Sequence, residues 1–312
     1  MTDARGILAE YLVNDFQSLG EQGYQVIKNV VTDTDKIIYD LNNELRTLEQ
    51  NYIADDLTLL QQYGIGDTES CWNSRIATLQ LWENLFKTKH LLSSWDGISV
   101  VRPEEQMKSS KLLNMYNEPD WIHRDQRLSN ENLADSIQGF LSLSSGNNYS
   151  TIIYKPKSGT AQQMIDAYHQ HFHRKFNRFG RKIDPIFSDE DYYEFSEDEL
   201  VWLRKYCTLE KPELDCGDML LWMSAMPHAA CSDVNCSEHV NTRLGTFISM
   251  IPKKLVNCSV LSERRKLAKM GLTSSHNVMY TKLFPFSKYQ ETMKHKNSYS
   301  TYIYEQRKKL IG

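Results

Sequence analysis

A chain of 312 residues with 11% aromatic and 24% charged side chains holds enough apolar material for one large folded domain, and this composition excludes a disordered or fibrous protein. No apolar run approaches the ~18 residues of a membrane span, and neither a secretory leader nor a peroxisomal Ser-Lys-Leu is present, so a cytoplasmic (intracellular) location is expected. The net charge of −4 is uneven: residues 250–312 carry thirteen Lys/Arg against three Glu, a local +10 against −14 for the rest.

A basic tail can hold phosphate or nucleic acid. A solvated helical cap is the preferred reading, since charge runs are mostly wet faces, and nucleic acid is not an expected partner. Six cysteines without a regular framework read as reduced thiols.

In chain order, Ile7, Leu8, Tyr11 and Leu12 keep helical spacing, Gly23–Val31 alternates as a short strand, and Asp35–Leu41 opens an amphipathic helix. Leu79–Leu92 reads as helix again. From Ile98 the texture changes to short β-favouring stretches at Lys111–Tyr116, Ile137–Leu143, Thr151–Tyr154, Met219–Met223 and Thr242–Ile251. Turn signals such as Asn117-Glu118-Pro119-Asp120 and Ser144-Ser145-Gly146 separate them, the pattern of a sandwich or barrel. A helical insertion interrupts this core at about 160–206, with Ser196-Glu197-Asp198-Glu199 as a capping box before Leu200. No repeat or linker divides the chain. The expectation is a single α+β domain spanning 1–312: a helical region to about 95, a mainly β core over about 96–252 with the insertion at its open edge, and a helical basic cap from 253.

His123-Arg124-Asp125 carries the first chemical signal. On a strand, residues two apart share a face, so imidazole and carboxylate can reach one ion. Alone, a His-x-Asp is weak evidence. Downstream, the turn Gly217-Asp218 leads into the apolar Met219–Met223, and His228 follows at the mouth of that strand. Two histidines and one carboxylate leave open positions on a metal, as non-haem iron(II) oxygenases require. Arg243 opens the next stretch and shares a face with Gly245, a guanidinium beside a side-chain-free position that suits a carboxylate.

This order (His-x-Asp, Gly-Asp-x-x-x-Trp, Pro-His, then Arg) resembles the phytanoyl-CoA dioxygenase family. Asp125-Gln126, Gln138-Gly139-Phe140-Leu141, the Gly23–Val31 strand and Arg264-Arg265-Lys266 with Thr273-Ser274-Ser275-His276 extend the similarity over most of 23–276. The resemblance implies a double-stranded β-helix (jelly roll), iron(II) held by His123, Asp125 and His228, and 2-oxoglutarate as co-substrate with dioxygen. Arg243 would bind the far carboxylate and Gln138 would line the co-substrate pocket. The implied reaction hydroxylates a small-molecule or lipid-like substrate and releases succinate and carbon dioxide. Three departures stand out: Pro156-Lys157-Ser158-Gly159 lacks a histidine, Gly245 replaces a hydroxyl residue, and 103 residues separate Asp125 from His228.

Other readings stay open. One is a non-catalytic jelly-roll binding protein. Another is a zinc- or nucleic-acid-associated protein using Cys231, Cys236 and His239 with the basic C-terminal segment; its spacing lacks a second paired half. His169, His171 and His173 read as surface, the Arg174–Lys182 cations as a solvated patch, and Trp121 and Trp222 as core. Neither the substrate's identity nor the oligomeric state follows from the residues.

Overall fold

The apolar run Met219–Met223 becomes the strand β10 and is fully buried. The computed structural model describes residues 3–51, 59–61, 63–101, 122–128, 130–145, 149–172, 192–232, 243–283 and 299–312. Among these, a larger sheet runs in the order β1 (Tyr24–Ile27), β10, β6 (Ile137–Ser142), β12 (Arg243–Ile248), β4 (Ile98–Val101) and β2 (Leu59–Leu60). A smaller sheet runs β8 (Tyr193–Glu194), β5 (His123–Arg124), β11 (His228–Ser232), β7 (Tyr149–Pro156) and β9 (Cys207–Glu210). Every pairing is antiparallel. The separate pair β3 (Leu91–Ser93) and β13 (Met250–Pro252) completes the β structure.

Helices decorate these sheets: α1 (Gln17–Gln22), α2 (Asp35–Asn51), α3 (Glu69–Ala77), α4 (Leu79–Phe86), α5 (Ala161–Phe172), α6 (Glu197–Tyr206), α7 (Cys258–Leu267) and α8 (Thr301–Ile311). α3 packs on β12, while α5 packs on β7 and α6 on β9, so helices back both sheets. The core runs through Trp72, Trp82, Trp95 and Trp222, none more than 1% exposed. Each such indole removes ~200 Å² from water, about 5 kcal/mol of apolar burial. No helix among the described residues is long and apolar enough to cross a membrane.

Local chemistry explains where elements end. The helix expected over Leu79–Leu92 stops at Phe86 because Lys87 turns left-handed (φ 51°), and Leu91 then pairs with Pro252. The single strand expected over Thr242–Ile251 is two: β12 stays in the larger sheet, and after Ser249 the chain leaves it for β3. Before β10, Gly217 has φ 91°, and a Cβ there would lie 2.1 Å from the Val31 carbonyl oxygen. Asp218 fixes this corner by accepting the N–H groups of Asn29 (2.9 Å) and Asp215 (2.7 Å) and the Lys28 ammonium (2.7 Å).

Among the described residues the stretch 160–206 holds the helices α5 and α6 and also the strand β8, which pairs His123 with Glu194. The capping box forms at α6, and the Glu199 carboxylate also accepts the Tyr193 and Tyr168 hydroxyls, joining α5, β8 and α6. Lys111–Tyr116 lies outside the described residues.

Part of the basic C-terminal charge is internal. Arg264, 1% exposed, donates to the carbonyls of Ser93, Val278, Leu310 and Ile311 and stacks over Trp95. Arg307 grips both oxygens of buried Asp67 at 2.7 Å. These cations tie α7 and α8 to the N-terminal half.

Candidate metal centre

Register brings the two histidines together. His123 on β5 pairs directly with His228 on β11, and directly opposed residues of antiparallel strands share a face. Their ring centroids are 4.4 Å apart. Asp125 follows β5, its N–H anchored on the Ser224 carbonyl at 2.9 Å. Its carboxylate lies 3.7 Å from His123 Nε2 and 3.3 Å from His228 Nε2. The three ligand atoms fall within 4.8 Å of one another. Ligand atoms around a ~2.1 Å divalent ion stand about 3.0–3.4 Å apart, so small side-chain adjustments close the site.

The hydrogen bonds decide which lone pairs face inward. His228 Nδ1 lies 2.9 Å from the Met226 carbonyl, which can only accept, so Nδ1 carries the proton and Nε2 is left as a lone pair. Burial pushes the Asp125 carboxyl upward, but positive charge at the His123, His228 and His276 positions outweighs it and holds the group far below the usual carboxylate range; with His228 neutral, a bound cation would supply that charge. Gln138 on β6 donates to Asp125 Oδ2 at 2.9 Å and to Ser224 Oγ at 3.3 Å. Two acceptor atoms 3.3 Å apart repel unless a cation or a proton lies between them. This donor set therefore fits a divalent ion. Beside it, the buried Trp222 ring sits 5.4 Å from His228, and its N–H meets no hydrogen-bond partner among the described residues.

Arg243 bridges the two sheets, donating from Nη2 to Thr151 Oγ1 at 2.9 Å. Thr151 is two residues from Ile153, the residue paired with His228, which is about 7 Å along the strand. The space at Gly245 is not free for a ligand carboxylate: a Cβ there would lie 2.1 Å from Phe140 Cζ. The phenyl ring fills it, and the Arg243 guanidinium rests 4.4 Å above that ring. Gly245 thus admits the platform under the arginine.

Arg124 turns to the opposite face. Fully buried, it donates to the carbonyls of Gln126 (3.1 Å), Arg127 (2.9 Å) and Asn130, closing the loop behind Asp125. His169, expected at the surface, is buried and lies 3.4 Å from Arg124; helix α5 carries it inward against this loop. His171 is exposed. His173, the Arg174–Lys182 cations, Trp121, Cys236 and His239 lie outside the described residues. Two residues near the centre were given no role by the sequence reading: Tyr192, its ring 5.1 Å from His123, and His276, whose Nε2 reaches the Asp125 carbonyl at 3.0 Å. Only the Thr-Ser-Ser-His stretch of the family resemblance pointed to the second.

No family model matches the sequence, and no curated protein sequence matches it. Solved structures do. GlcNAc Inducible Gene 2, GIG2 (DUF1479), from Candida albicans is similar with a TM-score of 0.50 at 13% identity, over 82% of this chain and 67% of that one. That likeness is one of fold. The epimerase SnoN in complex with Fe3+, alpha ketoglutarate and nogalamycin RO is similar at TM-score 0.44 and 13% identity, over 75% and 81% of the two chains. EctD from S. alaskensis with 2-oxoglutarate and 5-hydroxyectoine gives 0.42 and 10% identity, over 76% of each chain.

Proposed function

We propose that the chain is an iron(II)- and 2-oxoglutarate-dependent oxygenase of the phytanoyl-CoA dioxygenase type, built on a jelly-roll core and hydroxylating a small-molecule or lipid-like substrate. The observation that carries this is the convergence of His123, Asp125 and His228, with ligand atoms within 4.8 Å and His228 Nε2 turned to the carboxylate. The motif order in the sequence supports the same reading. Iron(II) bound there supplies dioxygen activation coupled to the oxidative decarboxylation of 2-oxoglutarate to succinate and carbon dioxide.

The chain's own residues supply position and charge. Met226 holds the His228 tautomer and Gln138 holds the Asp125 carboxylate, so the donors are set before the metal arrives. Arg243, oriented by Thr151 and Phe140, binds the far carboxylate of the co-substrate; its partner Thr151 lies two residues along β7 from Ile153, which pairs with His228. His123, His228, Gln138 and Arg243 are buried, which limits water at the reacting atoms, while Asp125 keeps 17% of its side chain exposed. Tyr192, exposed and with its ring 5.1 Å from His123, is a candidate substrate contact.

The test is anaerobic reconstitution of the purified chain with iron(II) and 2-oxoglutarate, followed by exposure to air. Succinate release by the wild type and none by His228→Ala is expected. Equal release by both proteins, or no metal uptake by the wild type, overturns the reading.

A further inference from the structure

Asp125 has three polar groups, and each is held by a different part of the fold. Ser224 takes its N–H, and Gln138 donates to its carboxylate. The carbonyl is held by His276, whose Nε2 donates to it at 3.0 Å. Because a carbonyl only accepts, the His276 proton sits on Nε2.

His276 arrives on a segment that is rigidly tied to the body of the fold. Thr273 Oγ1 accepts the Gly66 N–H at 3.1 Å, and Trp95 Nε1 donates to the Leu272 carbonyl at 2.8 Å. Ser274 exchanges two hydrogen bonds with the Trp95 backbone, at 2.8 and 3.0 Å, and Ser275 donates to the Lys282 carbonyl at 2.8 Å. Thr273 and Ser274 are completely buried. A short polar segment with five ordered hydrogen bonds and almost no apolar surface offers little to hydrophobic stability. What it delivers is one imidazole to the backbone of the metal loop.

From this we propose that His276 is a positioning residue of the metal centre, fixing Asp125 from the C-terminal cap. The proposal rests on the metal-centre reading above. β5 is only two residues long, so the strand ladder ends before Asp125, and the aspartate needs anchors from elsewhere. Without the His276 bond the peptide that carries the ligand can rotate, and the carboxylate no longer points at the two imidazoles in advance. Residues that orient a metal ligand in this way typically change metal affinity about 10–100-fold.

The experiment uses the full metal-free chain titrated with Co2+, read by the visible absorption of the bound ion and by the melting temperature with and without metal. His276→Phe keeps bulk and removes the donor, whereas His276→Gln keeps an N–H donor. Expected are Co2+ binding at least about tenfold weaker with an altered band for His276→Phe, near wild-type binding for His276→Gln, and similar melting temperatures for all three metal-free proteins. Equal Co2+ affinity and spectrum in the two variants overturn the proposal while leaving the centre intact. No Co2+ binding by the wild type overturns the centre itself, and the proposal with it.

Discussion

Replacing Gly245 by alanine tests the platform under Arg243 without touching a charged group. The added methyl would lie 2.1 and 2.5 Å from two Phe140 ring carbons and 2.6 Å from the Leu141 carbonyl oxygen, where ordinary contact is about 3.5 Å. Leu141 pairs with Thr246 in the β6–β12 ladder, so its carbonyl is fixed and the ring has to retreat by more than ~1 Å. Retreat is blocked by the Arg243 guanidinium 4.4 Å away and by the Phe247 ring at 5.3 Å. Overpacking of this kind costs about 2 kcal/mol, which in a chain this long lowers the melting temperature by roughly 4 °C. Removing the ring relieves the two closest contacts and leaves only that with the Leu141 carbonyl, so Phe140→Leu combined with Gly245→Ala should cost at least about 1 kcal/mol less than the two single changes added together. Thermal melts of the four proteins in this cycle give the answer. A Gly245→Ala protein as stable as wild type, or strictly additive costs, refutes the account of the platform.

Arg243→Met keeps side-chain bulk but removes the fork; 2-oxoglutarate binding should fall by about 3 kcal/mol, on the order of 100-fold, with Co2+ affinity little changed, and calorimetry showing undiminished 2-oxoglutarate affinity removes Arg243 from the co-substrate site. Arg307→Met removes the cation that grips the buried Asp67 carboxylate; a loss of about 3–5 kcal/mol in urea unfolding is expected, and a loss near zero contradicts the tie between cap and core. Burial pushes the Asp218 carboxyl up, but Lys28 and the N–H groups of Asn29 and Asp215 hold it below its ordinary 3.8. A depressed carboxyl stabilises the fold above its unfolded value and loses that contribution as pH falls through the folded one. Asp218→Asn should therefore be less stable than wild type at neutral pH, with the gap closing as the pH falls below the ordinary carboxyl value of 3.8; a gap independent of pH would show that the charge of Asp218 is immaterial.

Much of the site was legible because its signals are local. Met219–Met223 is apolar throughout, as a strand covered on both faces must be, and the Ser196–Glu199 box depends only on neighbours along the chain. The His123/Asp125 pair and His228 were legible as residue types in order, and register then brought them together. The two-residue strand β8 was not legible, since it exists through its partner and has no periodicity of its own, and the strand read at His123-x-Asp125 ends at Arg124, before the aspartate. His169 looked like a surface histidine on a polar helix, but α5 turns it inward, 3.4 Å from the buried Arg124. Gly245 carried the opposite error: an absent side chain suggests room for a ligand, but whether room exists depends on Phe140 across the ladder. His276 reaches Asp125 over 151 residues of sequence, a separation at which no local pattern operates.

The Arg264 hub also sets an order of events. Its guanidinium joins Ser93, 171 residues earlier, to Ile311, 47 residues later. Contacts at such separations carry a large loop-closure cost and form late. During synthesis the strands bearing His123 and His228 leave the ribosome well before α8 does, so the cap closes on a sheet pair that is already forming. Folding of this chain should therefore finish with a slow docking phase, and metal capture becomes tight only once that phase is complete.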